Sequence, residues 1–178
     1  MSFTFLVGGA RCGKSRLAVE LAERSGRPVL FVATAVATDA DMDERVARHR
    51  RERPQHWTTV EEPVELESVL LDASPDATVV VDCLTLWLSN LMLAQTKEEE
   101  IVGRANGVGR AAAARAAPTI VVSNEVGSGV HPPTELGRVY RDLLGRVNAT
   151  CARHAHDAYL VMAGRVLRLE PTEGLTVA

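Results

Sequence analysis

The chain has 178 residues, of which 46% are hydrophobic and 24% charged, and its formal net charge is −3. That length and mix suit one domain with a sizeable core, and the acidic balance counts against a protein that coats nucleic acid. No apolar run is long enough to cross a bilayer, and residues 1–7 lack the positive n-region of a signal peptide. Cys12, Cys83 and Cys151 show no C-x-x-C spacing, which points to free thiols in a reducing cytoplasm.

In chain order, residues 4–7 read as a first strand that runs into a glycine loop. Residues 14–24 follow as a helix with Leu17, Leu21 and alanines on its apolar face, stopped by Ser25-Gly26. Residues 29–33 read as a second strand after Pro28. Thr38 or Asp39 is expected to cap a charged helix reaching Arg51, which Pro54 prevents from continuing. Residues 57–60 read as a short strand and 64–73 as a helix. The β-branched run 78–81 reads as a central strand, and 84–94 as a buried helix. Residues 97–117 lean helical although Gly103, Gly107 and Gly109 weaken that reading. Residues 119–123 give another buried strand, 135–154 a long amphipathic helix, and 158–162 with 166–169 an edge around Gly164. Residues 170–178 read as a loose tail. Strands alternating with helices, and apolar on both faces, predict an α/β fold with a mostly parallel sheet across residues 1–178 as one domain.

The run Gly8-Gly9-Ala10-Arg11-Cys12-Gly13-Lys14-Ser15 matches the Walker A pattern, with a strand before it and a helix after it. Such a loop turns successive backbone N–H groups toward phosphate oxygens, and the helix adds the positive end of its dipole. Lys14 is then expected to reach the outer phosphates, and the Ser15 hydroxyl to ligate Mg²⁺ accompanying ATP or GTP. A second metal carboxylate is expected at the end of a neighbouring strand. Asp82 suits that role, with capping of the next helix as the alternative.

Five arginines surround His49 in the run from Arg45 to Arg53. This segment reads as a solvated charged face, the usual fate of such runs, as a nucleic-acid patch, or as an anion site. In the last case a neutral His49 could act as nucleophile, because adjacent arginines disfavour its protonated form and offset phosphate charge. The run from Ser123 to Pro133 follows a buried strand, where ligands of open α/β sheets collect, and reads as a substrate loop or a long surface turn. Asn148 is either a polar residue on a helix face or one that reaches into a site. His56, His131, His154 and His156 show no zinc spacing.

Taken together, these segments resemble the bifunctional adenosylcobinamide kinase / adenosylcobinamide-phosphate guanylyltransferase family of cobalamin biosynthesis (the CobU/CobP family). The resemblance is carried by residues 8–16, Ala33-Thr34-Ala35, Arg45 to His49, Arg53 to Trp57 and Asn124 to Gly129, and is extended by Arg141-Asp142 and Gly145 to Asn148. It implies a RecA-like P-loop fold, a homotrimer and a corrinoid substrate. It also implies phosphorylation of adenosylcobinamide followed by GMP transfer through a guanylyl-histidine. His49 matches the histidine position, where the family often has two adjacent histidines and this chain has Arg48 first. Nucleotide contacts carry over to Gly8 through Ser15, to Ala33, Thr34 and Ala35, to Arg50, Arg51, Glu52 and Arg53, and to Glu61 and Asp82. Cys12 stands where family members often have Ser, and Asp82 where some have Glu. The rival expectations are a single-function P-loop kinase, which does not need His49, and a nucleic-acid-binding P-loop module, disfavoured by 4% aromatic content.

Overall fold

A computed structural model of the chain describes residues 3–36 and 53–172. The expected charged helix, with His49, Arg50, Arg51 and Glu52, lies outside the described residues, as do residues 173–178 of the expected tail. The elements in order are β1 (Phe3–Val7), α1 (Lys14–Arg24), β2 (Val29–Ala33), β3 (Thr58–Glu61), α2 (Leu66–Asp72), β4 (Thr78–Asp82), α3 (Leu84–Leu93), α4 (Glu98–Ala114), β5 (Thr119–Val122), α5 (Glu135–Ala152), β6 (Asp157–Met162) and β7 (Arg165–Leu169).

One seven-stranded sheet runs in the order β3-β2-β4-β5-β1-β6-β7. All pairings are parallel except β6 with β7, which form an antiparallel hairpin at the edge. The central strands are apolar on both faces because helices cover both. Leu6, Val80, Ile120 and Val122 pack with Ala18 and Ala22 of α1 on one side. Phe5, Val79, Val81 and Val121 pack with Leu70, Trp87, Leu88, Ile101 and Leu144 of the other helices on the opposite side. The edge strands β3 and β7 are exposed along their length.

Local chemistry explains the boundaries. Ala18 and Ala22 present the small, fully buried seam by which α1 sits close on the sheet. Ser25 ends that helix by donating its hydroxyl to the Ala22 carbonyl at 2.6 Å, and Gly26 takes a left-handed φ of 64°. Thr134 caps α5, its hydroxyl accepting from the Gly137 N–H at 3.2 Å. Two of the three glycines that argued against helix in the 97–117 stretch, Gly107 and Gly109, have a packing role, whereas a Cβ on Gly103 would meet nothing within 4 Å. A Cβ on Gly107 would run into the Glu67 carboxylate of α2, and one on Gly109 would lie 2.6 Å from His154 Cδ2 at the end of α5. Close approach of three helices thus outweighs the propensity cost of glycine. Gly109→Ala is expected to destabilise the fold by about 1–3 kcal/mol through overpacking, read as a lower urea midpoint with unchanged slope. A neutral outcome would show that His154 swings aside freely.

Candidate active site

The phosphate cradle links β1 to α1 and is braced from two sides. A Cβ on Gly8 would strike the Val161 carbonyl oxygen of β6, so only glycine permits that approach. Arg11 and Gly13 take positive φ of 56° and 106°, which turns the loop back on itself before the first turn of α1. The Gly164 N–H, at the tip of the β6–β7 hairpin, donates to the Cys12 carbonyl at 3.1 Å. On the other side the Glu125 N–H donates to the Gly8 carbonyl at 3.0 Å, tying the 123–129 loop to the cradle. Lys14 is only 6% exposed. Its ammonium donates to the Gly9 carbonyl at 2.7 Å and to Cys12 Sγ at 3.6 Å.

Ser15 and Asp82 come together. Both line a cavity of about 420 Å³ whose other walls are Arg16, Val19, Glu20, Phe31 and Arg53. Asp82 ends β4 level with Ala33 of β2, and the next helix is capped by Cys83 with no side-chain cap bond, so Asp82 is not the capping residue. The Arg53 guanidinium lies 3.7 Å from the Phe31 ring centroid, and Phe31 stacks on Trp57 at 6.4 Å. This cation–π wall was missed by sequence reading. Its only signal was the alternation that puts Phe31 on the same strand face as Ala33.

The side chain of Thr34, a nucleotide contact by the resemblance, is held by neighbouring backbone. It is fully buried, and its hydroxyl donates to the Cys83 carbonyl and accepts from the Cys83 N–H, both at 2.8 Å. Its carbonyl accepts from Asn90 Nδ2 at 2.8 Å. Thr34 therefore braces the end of β2 against the turn after Asp82. Ala33 ends β2 beside it, Ala35 is half-buried, and Glu61 ends the exposed β3 level with Ala33.

Burial foremost, with the Asp82 charge second, pushes the Cys83 thiol up to about 11, and burial pushes Cys151 up to about 12. Both are neutral packing groups at physiological pH. Glu125 turns its own loop, accepting from the Gly127 and Ser128 N–H groups. Asn148, left open by the sequence, points into the protein: it accepts from Ser123 Oγ at 2.6 Å and donates to the Asn124 carbonyl at 2.9 Å. Three of the described histidines have polar partners. His131 Nδ1 meets Arg141 at 2.8 Å, His154 Nε2 meets Asn106 at 2.8 Å, and His156 Nδ1 accepts from the Phe3 N–H at 3.3 Å. Among the described residues no cluster of three or more His, Cys, Asp or Glu could hold a metal, and no helix is long and apolar enough to cross a membrane.

Known proteins fit this geometry. Among solved structures, the RadB recombinase superposes with a TM-score of 0.51 at 18% identity, covering 89% of this chain and 73% of that one. An ATP synthase subunit, NeqB of Nanoarcheaum equitans, gives 0.50 at 10% identity, covering 89% of this chain and 45% of that one. These likenesses concern the fold alone, which is α/β and RecA-like. The bifunctional adenosylcobalamin biosynthesis protein CobP of Pseudomonas aeruginosa is 40% identical over 93% of this chain and 95% of its own length. The corresponding protein CobU of Escherichia coli is 35% identical over 89% of this chain and 94% of its own. The family model described as cobinamide kinase / cobinamide phosphate guanyltransferase matches residues 4–169. With its braced phosphate cradle inside that span, the chain belongs to the cobinamide kinase / cobinamide phosphate guanyltransferase family.

Proposed function

We propose that this one cradle serves two successive transfers in cobalamin biosynthesis. The first moves the terminal phosphoryl group of ATP or GTP to the hydroxyl of adenosylcobinamide. The second moves GMP from GTP to adenosylcobinamide phosphate through His49, giving adenosylcobinamide-GDP. The observation that carries the reading is the buried Lys14 ammonium at the base of a loop braced by Gly164 and Glu125, within a family match that spans residues 4–169.

In the guanylyl step neutral His49 attacks the α-phosphorus. A nitrogen–phosphorus bond forms, the bond to the β-phosphate oxygen breaks, and pyrophosphate leaves. A phosphate oxygen of the corrinoid then displaces the histidine. Splitting one transfer into two in this way predicts ping-pong kinetics. Arg53 and the carried-over Arg50 and Arg51 are assigned the role of offsetting phosphate charge, with Gly8 through Ser15 as the cradle. The corrinoid, nucleotide and Mg²⁺ are the ligands proposed, the assembly a homotrimer, and the compartment the cytoplasm.

Ser15 and Asp82 fit Mg²⁺. A hydroxyl and a carboxylate share one cavity, and this ion typically takes one or two protein oxygens and fills its shell with phosphate oxygens and water. When bound it offsets the charge of the phosphate oxygens. Asp82→Asn is expected to raise the Mg²⁺ concentration needed for half-maximal phosphorylation by at least about tenfold. An unchanged Mg²⁺ titration would remove Asp82 from the metal site.

The function itself is tested by supplying adenosylcobinamide with γ-labelled ATP and, separately, adenosylcobinamide phosphate with α-labelled GTP. Label is expected in the corrinoid product of each reaction. Label from γ alone would reduce the protein to a single-function kinase.

A further inference from the structure

We propose that Asn124 is a phosphate-contacting residue of the phosphorylation reaction, its side-chain amide donating to an oxygen of the terminal phosphoryl group, and that Asn148 is the residue that positions it. The inference rests on the kinase half of the function proposed above.

Strand order supplies the first argument. β5 lies between β1, which leads into the cradle, and β4, which ends at Asp82. Val122 is level with both Leu6 and Asp82. Whatever follows Val122 therefore emerges between the lysine loop and the metal carboxylate.

Alternation supplies the second. The β5 ladder runs on past Val122, with the Ser123 N–H donating to the Leu6 carbonyl at 2.8 Å and the Glu125 N–H to the Gly8 carbonyl at 3.0 Å. Successive side chains in such a segment point to opposite faces. Ile120 and Val122 pack on the α1 side, so Asn124 follows them onto the side that holds Ser15. Asp82 reaches that side by the same count from Val80. Ser123, of opposite parity, meets Asn148 of α5 on the other face of the sheet, as the alternation requires.

Fixation supplies the third. The Asn124 N–H donates to Thr85 Oγ1 at 3.0 Å, and its carbonyl accepts from Asn148 Nδ2 at 2.9 Å. Asn148 is itself 8% exposed. Thr85 is held in turn, its carbonyl accepting from the Tyr140 hydroxyl at 3.1 Å. The backbone of Asn124 is thus clamped on both sides, while its side-chain amide makes no hydrogen bond among the described residues. A neutral donor held at its root and uncommitted at its tip suits a group whose charge builds up during transfer. In that transfer the bond from the terminal phosphorus to the β–γ bridging oxygen breaks, and the nucleoside diphosphate leaves with the electron pair. The bond to the acceptor oxygen forms, and the acceptor's proton passes to solvent. Asn124 neither gives nor takes a proton.

The test uses the full chain with Asn124→Ala, Asn124→Asp and Asn148→Ala. Each is assayed for γ-transfer to adenosylcobinamide and for protein labelling by α-labelled GTP. Asn124→Ala keeps both backbone clamps, so its melting temperature is expected to match that of the unaltered protein. Its kcat for phosphorylation is expected to fall by about 10²–10³-fold with KM for ATP unchanged and α-labelling retained. Asn124→Asp, which places a carboxylate against phosphate, should fall further. Asn148→Ala should repeat the selective loss of kcat in weaker form, whereas a merely structural role would lower both reactions together. Wild-type kcat in Asn124→Ala, or equal losses in γ-transfer and α-labelling, would overturn the assignment. If the unaltered protein transferred no γ-phosphate to the corrinoid, the proposed function would fall, and this inference with it.

Discussion

Lys14→Ala is expected to lower γ-phosphoryl transfer by about 10³-fold, the size of effect seen when a preorganised group facing developing phosphate charge is removed. Lys14 is 6% exposed, so little water competes with its ligand. Its ammonium is anchored by the Gly9 carbonyl at 2.7 Å and lies 3.6 Å from Cys12 Sγ, which holds a point charge at the base of the loop rather than at its rim. Lys14→Arg should not restore activity, because a planar guanidinium is larger and its fork cannot take the place of a compact ammonium in a nearly closed space. Stability is not expected to fall with activity, since alanine removes a buried charge whose partners are neutral. Loss of the fold in Lys14→Ala would show that the lysine is structural. Activity within about tenfold of the unaltered protein would show that it does not face the transferred group.

His49→Ala is expected to separate the two reactions. Guanylyl transfer should fall below detection, because the nucleophile that splits it into two steps is gone. Phosphorylation of adenosylcobinamide should continue, because positioning and charge compensation at the cradle suffice for it. Equal loss of both would mean that the arginine-rich segment serves the common nucleotide site and not covalent catalysis. Retention of both would remove His49 from the mechanism and return that segment to the solvated charged face that composition alone allows.

The cradle was legible in the sequence because its chemistry is local: glycines, lysine and serine within eight consecutive positions, between a strand and a helix. The sheet was legible for the same reason, since alternation and β-branching are read residue by residue. What escaped is what depends on distant contacts. Nothing in the sequence brings Gly164 to the Cys12 carbonyl, or Arg53 to the face of Phe31. The bonds of the Thr34 hydroxyl to the Cys83 backbone give that residue a bracing role visible only once β2 and β4 lie side by side. Gly107 and Gly109 weakened a helix reading that the structure bears out, because intrinsic propensity lowers a helix expectation at the positions where neighbouring helices come close enough to exclude a Cβ. Asn148 could not be decided from its helical position, since choosing between solvent and interior required knowing that Ser123 lay beneath it.

A pulse-and-chase with GTP bears most directly on the claim that one cradle serves two transfers. The protein is incubated with α-labelled GTP and Mg²⁺, freed of nucleotide, and then given adenosylcobinamide phosphate. The expected result is a label that is stable to alkali and labile to acid, absent in His49→Ala and in Lys14→Ala, and passed to adenosylcobinamide-GDP on the chase. A protein that never acquires α-label while forming adenosylcobinamide-GDP would contradict the covalent route, and one whose label is not passed to the corrinoid would show that the labelled histidine lies off the reaction path.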